Sequence, residues 1–166
     1  MVRVQRLGED DWALFREIRL RSLLDSPEAF GSTYGVEFSQ TERAWRDWVA
    51  GRWRGGVSVV FVGYADDGTP VGTATGAEYE AEPGIGHLYA MWVAPDARGA
   101  GVGRALLDAV ADWARARGCD RLILTVTESN GTARRFYAAR GFVDTGEREA
   151  LRQGSEIRTL ILSMPL

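Results

Sequence analysis

The chain contains no lysine: all 20 basic residues among its 166 are arginine. Without lysine there is no P-loop phosphate contact, no Schiff base and no kinase-type phosphate lysine. Histidine and cysteine are almost as scarce, one of each, which removes zinc fingers and histidine-rich zinc sites, so no metal is expected. A lone cysteine forms no intramolecular disulfide, and Cys119, between a helix end and an apolar strand, reads as buried filler. Long apolar runs are missing too: VSVVFVGY falls far short of the ~20 residues that cross a bilayer. The opening MVRVQRLGEDDW carries charges where a signal peptide needs an apolar run. A cytoplasmic chain without a membrane partner is expected. The net charge of -3 also argues against nucleic acid as a partner, because phosphate neutralisation needs a basic surface.

What is present is ordinary for a globular protein, with 45% hydrophobic and 26% charged residues, and the length suits one domain over residues 1–166. Val2 to Arg6 alternates as a strand, and the acids of Gly8-Glu9-Asp10-Asp11 precede a helix over Trp12 to Leu24. Asp25 to Phe38 is turn-rich and reads as a loop that lines a site. Ser39-Gln40-Thr41-Glu42 has the form of a capping box before a helix that ends near Gly51. Val57 to Tyr64 and Val71 to Tyr79 form a hairpin, and His87 to Val93 is an apolar strand. Val102, Ala105, Leu106, Ala109, Val110 and Trp113 have helical spacing up to Gly118. A strand over Arg121 to Thr127, a helix to Arg140, and strands at Phe142 to Thr145 and Glu156 to Ser163 complete the chain. The order β-α-α-β-β-β-α-β-α-β-β predicts a mixed α/β fold, with about seven strands and about four helices.

Chemistry concentrates between the apolar strand and the strongest helix, in Pro95-Asp96-Ala97-Arg98-Gly99-Ala100-Gly101-Val102-Gly103-Arg104. Small residues let backbone N–H groups approach a ligand, and a helix N-terminus adds roughly half a positive charge, a combination that suits a pyrophosphate. Arg98 and Arg104 supply cations. The loop does not fit the dinucleotide fingerprint, whose third glycine would fall on Arg104. A plain glycine-rich turn is the competing reading.

MWVAPDARGAGVGRALLDAV resembles motif A of the GNAT superfamily of N-acetyltransferases, R/Q-x-x-G-x-G/A, with Arg98, Gly101 and Gly103 in its places. Farther on, ESNGTARRFYAARGFVDTGE resembles the family's second motif through Asn130, Phe136, Tyr137, Gly141 and Phe142. The resemblance implies a mostly antiparallel sheet whose motif A strand splays from its neighbour. Acetyl-CoA is the implied co-substrate, with pantetheine along the backbone of Met91, Trp92 and Val93 and phosphates on Arg98 to Arg104. Trp92 also reads as core filling. Asn130 is implied at the pantetheine and equally reads as a helix N-cap.

By the same resemblance, Tyr137 returns a proton to the departing sulfur; a phenol near pKa ~10 is matched to a thiol near ~8.5. The alternative is one more packed aromatic. The acceptor amine, with a pKa near ~10.4, needs a base. His87, where many relatives carry Glu, is one candidate; an exposed strand start is the other reading. Glu78, Glu80 and Glu82 would share a face if their strand persists, as a base or as a solvated edge. Arg16, Arg19 and Arg21 would favour an anionic group at the acceptor wall, which conflicts with that acidic row. The expected partners are a small-molecule or peptide amine and, as one admissible state, a second copy in a homodimer. The competing class is a fold of this type that senses acyl-CoA without turnover.

Overall fold

The computed structural model describes residues 2–166. Among these, eight strands form one sheet with five α-helices: β1 Arg3–Arg6, α1 Trp12–Asp25, α2 Tyr34–Phe38, α3 Glu42–Val49, β2 Arg52–Trp53, β3 Gly56–Tyr64, β4 Pro70–Glu78, β5 Ile85–Val93, α4 Val102–Ala116, β6 Arg121–Thr127, α5 Gly131–Ala138, β7 Val143–Ala150 and β8 Arg158–Pro165. The sheet runs β1-β3-β4-β5-β6-β8-β7, with the short β2 paired to β3. All pairings are antiparallel except β5 with β6, the two strands joined by the α4 crossover. The mixed, mostly antiparallel architecture is the one the sequence predicts.

Local chemistry explains the elements. α3 begins two residues later than the capping box implies: Thr41 is the N-cap, accepting from the Ala44 N–H at 3.1 Å. Its buried face carries Trp45, Trp48 and Val49, and Phe15 of α1 meets both indoles edge-on. Trp48 stacks at 4.2 Å on Trp53 and donates its indole N–H to Thr75 Oγ1 on β4. On the other sheet face, α4 buries Val102, Leu106, Leu107, Val110, Ala111 and Ala114.

Two details of β5 open the middle of the sheet. Thr75 pairs with Tyr89 but Thr73 pairs with Trp92, so Ala74 faces both Ala90 and Met91. This bulge puts Ala90 at φ 53°, a conformation rare for a residue with a Cβ, and such bulges bend the strand. The parallel ladder with β6 ends early, at His87 opposite Ile123. Beyond it the strands diverge, as the resemblance implies.

The predicted loop Asp25 to Phe38 holds a 3-10 turn at Pro27–Ala29 and the helix α2. It is fastened to the sheet: Thr127 Oγ1 donates to the Glu28 carbonyl, and Arg152 donates to the carbonyls of Pro27, Phe30 and Gly31. β7 outruns its predicted end at Thr145.

Candidate active site

The divergence of β5 and β6 holds two cavities. The larger, about 1000 Å³, is walled by Arg98, Gly99, Gly101, Gly103, Arg104 and Phe136. The smaller, about 230 Å³, lies against the segment after α1 and the β2–β3 turn, and Phe30, Arg54 and Tyr89 are among its walls. Met91, Asn130, Ala133 and Tyr137 line both, so the two spaces meet at the splay.

The glycine loop presents the large cavity with backbone donors. Gly101 is the N-cap of α4 at φ 88°, and no atom lies within 4 Å of where its Cβ would be. Among the described residues, the N–H groups from Gly99 to Arg104 make no backbone hydrogen bond; the first helical bond runs from Ala105 to the Gly101 carbonyl. At Gly103 a Cβ would come 3.3 Å from Phe136, so its absence lets the helix start close to that ring. Ala100 and Val102 do not line the cavity. The Val102 side chain is core.

The two arginines differ. Arg98 Nε donates to the Val93 carbonyl at 3.0 Å and its Nη2 to Asp25 Oδ2 at 3.0 Å, so two of the donors of this half-exposed guanidinium are committed. Asp25 also accepts from Trp92 Nε1 at 2.9 Å and Ser26 Oγ at 2.7 Å, and these bonds hold its carboxyl below the usual carboxylate range. Among the described residues, Arg104 has only Asp108, at 3.8 Å, with both side chains exposed. Trp92 is thus both buried filler and a cavity wall fixed by Asp25.

Tyr137 is buried, its ring held edge-on by Phe136 and Phe142. Its hydroxyl has no hydrogen-bond partner among the described residues, and burial alone pushes its pKa up, so the phenol keeps its proton. Asn130 caps α5, its Oδ1 accepting from Ala133 N–H at 3.1 Å, while the residue lines both cavities; the two readings of it are compatible.

His87 and Glu78 fall elsewhere. Glu78 lines neither cavity: β4 turns its side chain to the α4 face, where it pairs with Arg117. That position does not fit a base at the site. β4 ends at Glu78, so Glu80 and Glu82 lie in the following turn and no acidic row forms. His87 is buried behind Tyr89, whose hydroxyl is 3.4 Å from His87 Nδ1. Its Nε2 lies 3.0 Å from Glu82 Oε2. Desolvation holds the imidazole below its ordinary pKa against the pull of Glu82, so it is neutral at neutral pH. Tyr89, its hydroxyl pKa raised by burial, is the cavity-lining member of this group. Cys119 is buried and its thiol pushed up by desolvation, without a place in the site. No metal-binding cluster of His, Cys, Asp or Glu occurs among the described residues.

Sequence reasoning missed Asp25, Arg54 and Tyr89. Asp25 meets Trp92 from 67 positions away, which no local pattern signals. Arg54 had a signal, an arginine before the glycine pair of a tight turn.

Comparison with known proteins adds the following. Residues 17–142 match the profile of the Acetyltransferase (GNAT) family. The streptothricin acetyltransferase of Streptomyces lavendulae is 43% identical over 76 residues, 44% of this chain and 40% of that protein. A mycothiol acetyltransferase of Acidothermus cellulolyticus is 30% identical over 146 residues, 85% of this chain and 44% of that protein. The chain therefore spans less than half the length of both relatives. The structure of yncA, an acetyltransferase of Salmonella typhimurium with its cofactor acetyl-CoA, superposes with a TM-score of 0.77 at 20% identity over 100% of this chain and 94% of that one. At that identity the likeness is one of fold.

Proposed function

Since the chain belongs to the acetyltransferase (GNAT) family, we propose that it is an N-acetyltransferase that moves acetyl from acetyl-CoA to a primary amine by direct attack. The observation that carries this reading is the meeting of two cavities at Met91, Asn130 and Tyr137. One space is built for a phosphate-bearing donor, and the other, walled mostly by apolar groups, for a second reactant.

The residues present fit acetyl-CoA. The unpaired N–H groups from Gly99 to Arg104, at the positive end of α4, suit a diphosphate, and Arg104 adds a mobile cation. Acetyl-CoA supplies an acyl group activated as a thioester. Asn130 and the Met91 and Val93 backbone border the path from the loop to the splay. Tyr137 donates a hydrogen bond at the junction: a phenol that keeps its proton cannot take one from the incoming amine but can hydrogen-bond the departing sulfur. The amine's proton leaves on the other side, through the Tyr89 hydroxyl to neutral His87, with Glu82 beside the far ring nitrogen. His87 thus acts at one remove, as a positioning and proton-accepting residue behind Tyr89.

Calorimetry with CoA and acetyl-CoA, followed by CoA-thiol release over a panel of amines, amino acids, peptides and antibiotics, tests the reading. Binding of the donor and turnover of at least one amine are expected. Tight donor binding with no turnover would favour the acyl-CoA-sensing alternative, and no donor binding would overturn the assignment of the glycine loop.

A further inference from the structure

We infer that the smaller cavity selects an acceptor carrying a carboxylate beside its amine, an amino acid in place of a plain amine or peptide terminus, and holds that carboxylate with Arg54. The inference rests on the acetyl-transfer reading for the amine but on separate residues for the carboxylate.

Arg19 is the first observation. It stands on α1 with its side chain 5% exposed, and it binds Glu37 of α2 through Nε to Oε2 and Nη2 to Oε1, both at 2.8 Å. A fork engaged on that edge leaves Nη1 as the spare donor, and Nη1 is buried without a partner. Arg19 lines the small cavity, but Nη1 itself is closed off beside the Phe30 ring, so the residue adds a guanidinium to the cavity wall without an open donor. Arg16 lies over Phe38 and Arg21 over Trp92; neither lines the cavity. Of the three arginines on α1 that favour an anion, only Arg19 reaches it.

Arg54 is the second. Trp53 pairs with Gly56, so Arg54 and Gly55 form a two-residue hairpin turn, with φ 51° and 74°. A turn with two positive φ values favours Asn at the first position, where a bulkier side chain is strained. The strained placement lays the guanidinium over the Trp53 ring, 4.2 Å from its centroid, and within 5.8 Å of that of Tyr89. No carboxylate pairs with Arg54 among the described residues. Trp53 stacks on Trp48, which Arg19 also approaches at 5.8 Å, so both guanidinium groups border one aromatic wall.

Among the described residues, Glu149 is the only carboxylate lining this cavity. Arg19 is already neutralised by Glu37, which leaves one cation, Arg54, and one anion, Glu149, facing the space. That is the charge pattern of a zwitterion, and a bidentate arginine contact suits a planar carboxylate.

The test compares amino acids of apolar, acidic and hydroxylated side chain with their carboxamides by CoA-thiol release, and the N-acetylated forms of both by calorimetry in the presence of CoA. Acids are expected to exceed amides in kcat/KM by at least about tenfold, as for loss of a charge-assisted hydrogen bond. The informative variant is Arg54→Asn, which suits the turn's backbone. It should collapse the acid-to-amide ratio to below about threefold in both assays, chiefly through KM. Arg19 is a poorer target, because its removal leaves Glu37 buried and unpaired. Equal use of acids and amides, or a ratio unchanged in Arg54→Asn, overturns the inference. If nothing is acetylated yet N-acetyl amino acids bind and their amides do not, the carboxylate site stands and the transfer reading fails. If neither binds, the inference fails with it.

Discussion

Replacing Tyr137 with Phe separates the role proposed for the hydroxyl from that of the packed ring, because the two parts have different contacts. The ring is clamped edge-on at 5.2 Å by Phe136 and at 5.5 Å by Phe142, and Phe keeps both contacts. The hydroxyl has no partner among the described residues, so its removal breaks no hydrogen bond within the fold. Stability should therefore change by less than about 1 kcal/mol. In a domain of this size that is a Tm shift within roughly 4 °C. The rate should behave differently: loss of general-acid help costs about 10²–10⁴ in kcat, equivalent to ~2.7–5.4 kcal/mol. Acetyl-CoA affinity should hold, since Phe fills the same wall. Thermal melts, calorimetry with acetyl-CoA, and initial rates of CoA-thiol release measure the three quantities. Wild-type kcat in the variant would return Tyr137 to the core; a fall in kcat matched by a large loss of stability would mean that the hydroxyl serves the fold.

The other expectations follow from the same geometry. Gly101→Asp puts a side chain at φ 88° and a carboxylate at the mouth of the donor cavity, so CoA affinity should drop at least about tenfold; unchanged calorimetry would dismiss the loop as the phosphate site. Asp25→Ala strands the buried Trp92 N–H and should cost about 2 kcal/mol, or roughly 4–8 °C in Tm, with little added by half-exposed Arg98; an unaltered melt would refute the tie. His87 has its pKa lowered by burial, so its neutral form belongs to the fold. Its contribution is complete above its unfolded value of about 6.5 and declines as pH falls from there through the folded pKa. His87→Gln should remove that slope from acid melts and shift the acidic limb of the pH–rate profile. A limb that stays in place would exclude His87 as the proton acceptor.

How much of this was legible in the sequence depended on range. The glycine loop and α4 announce themselves locally, through small residues followed by apolar residues at helical spacing, and the paired motifs fixed the strand between them. β7 was cut short because all its residues are exposed, so no alternation of apolar side chains marks its second half. The face of Glu78 was unreadable for another reason: alternation along β4 tells which residues share a side, but not which side α4 covers. Arg152 meets the Pro27 carbonyl across 125 positions, and Asp25 meets Trp92 across 67. Contacts of that separation are set by topology and leave no short-range pattern.

Arg98 shows how motif and geometry divide the work. As the basic residue of the glycine loop it invites assignment to a phosphate, yet its Nε and Nη2 are spent on the Val93 carbonyl and on Asp25. Asp25 offsets its charge, and Trp92 shares the same carboxylate oxygen. One acidic side chain at the end of α1 thereby joins the helix, the end of the splayed strand and the loop that turns into α4. In this arrangement the arginine ties the loop to the end of β5 and to α1, while the backbone N–H groups from Gly99 to Arg104 keep no backbone partner among the described residues. The charge they present comes from the α4 N-terminus and from Arg104, whose distant, exposed partner leaves it free to move. A cradle of backbone donors on a helix end needs no lysine, which is how a chain with none can be shaped for a diphosphate.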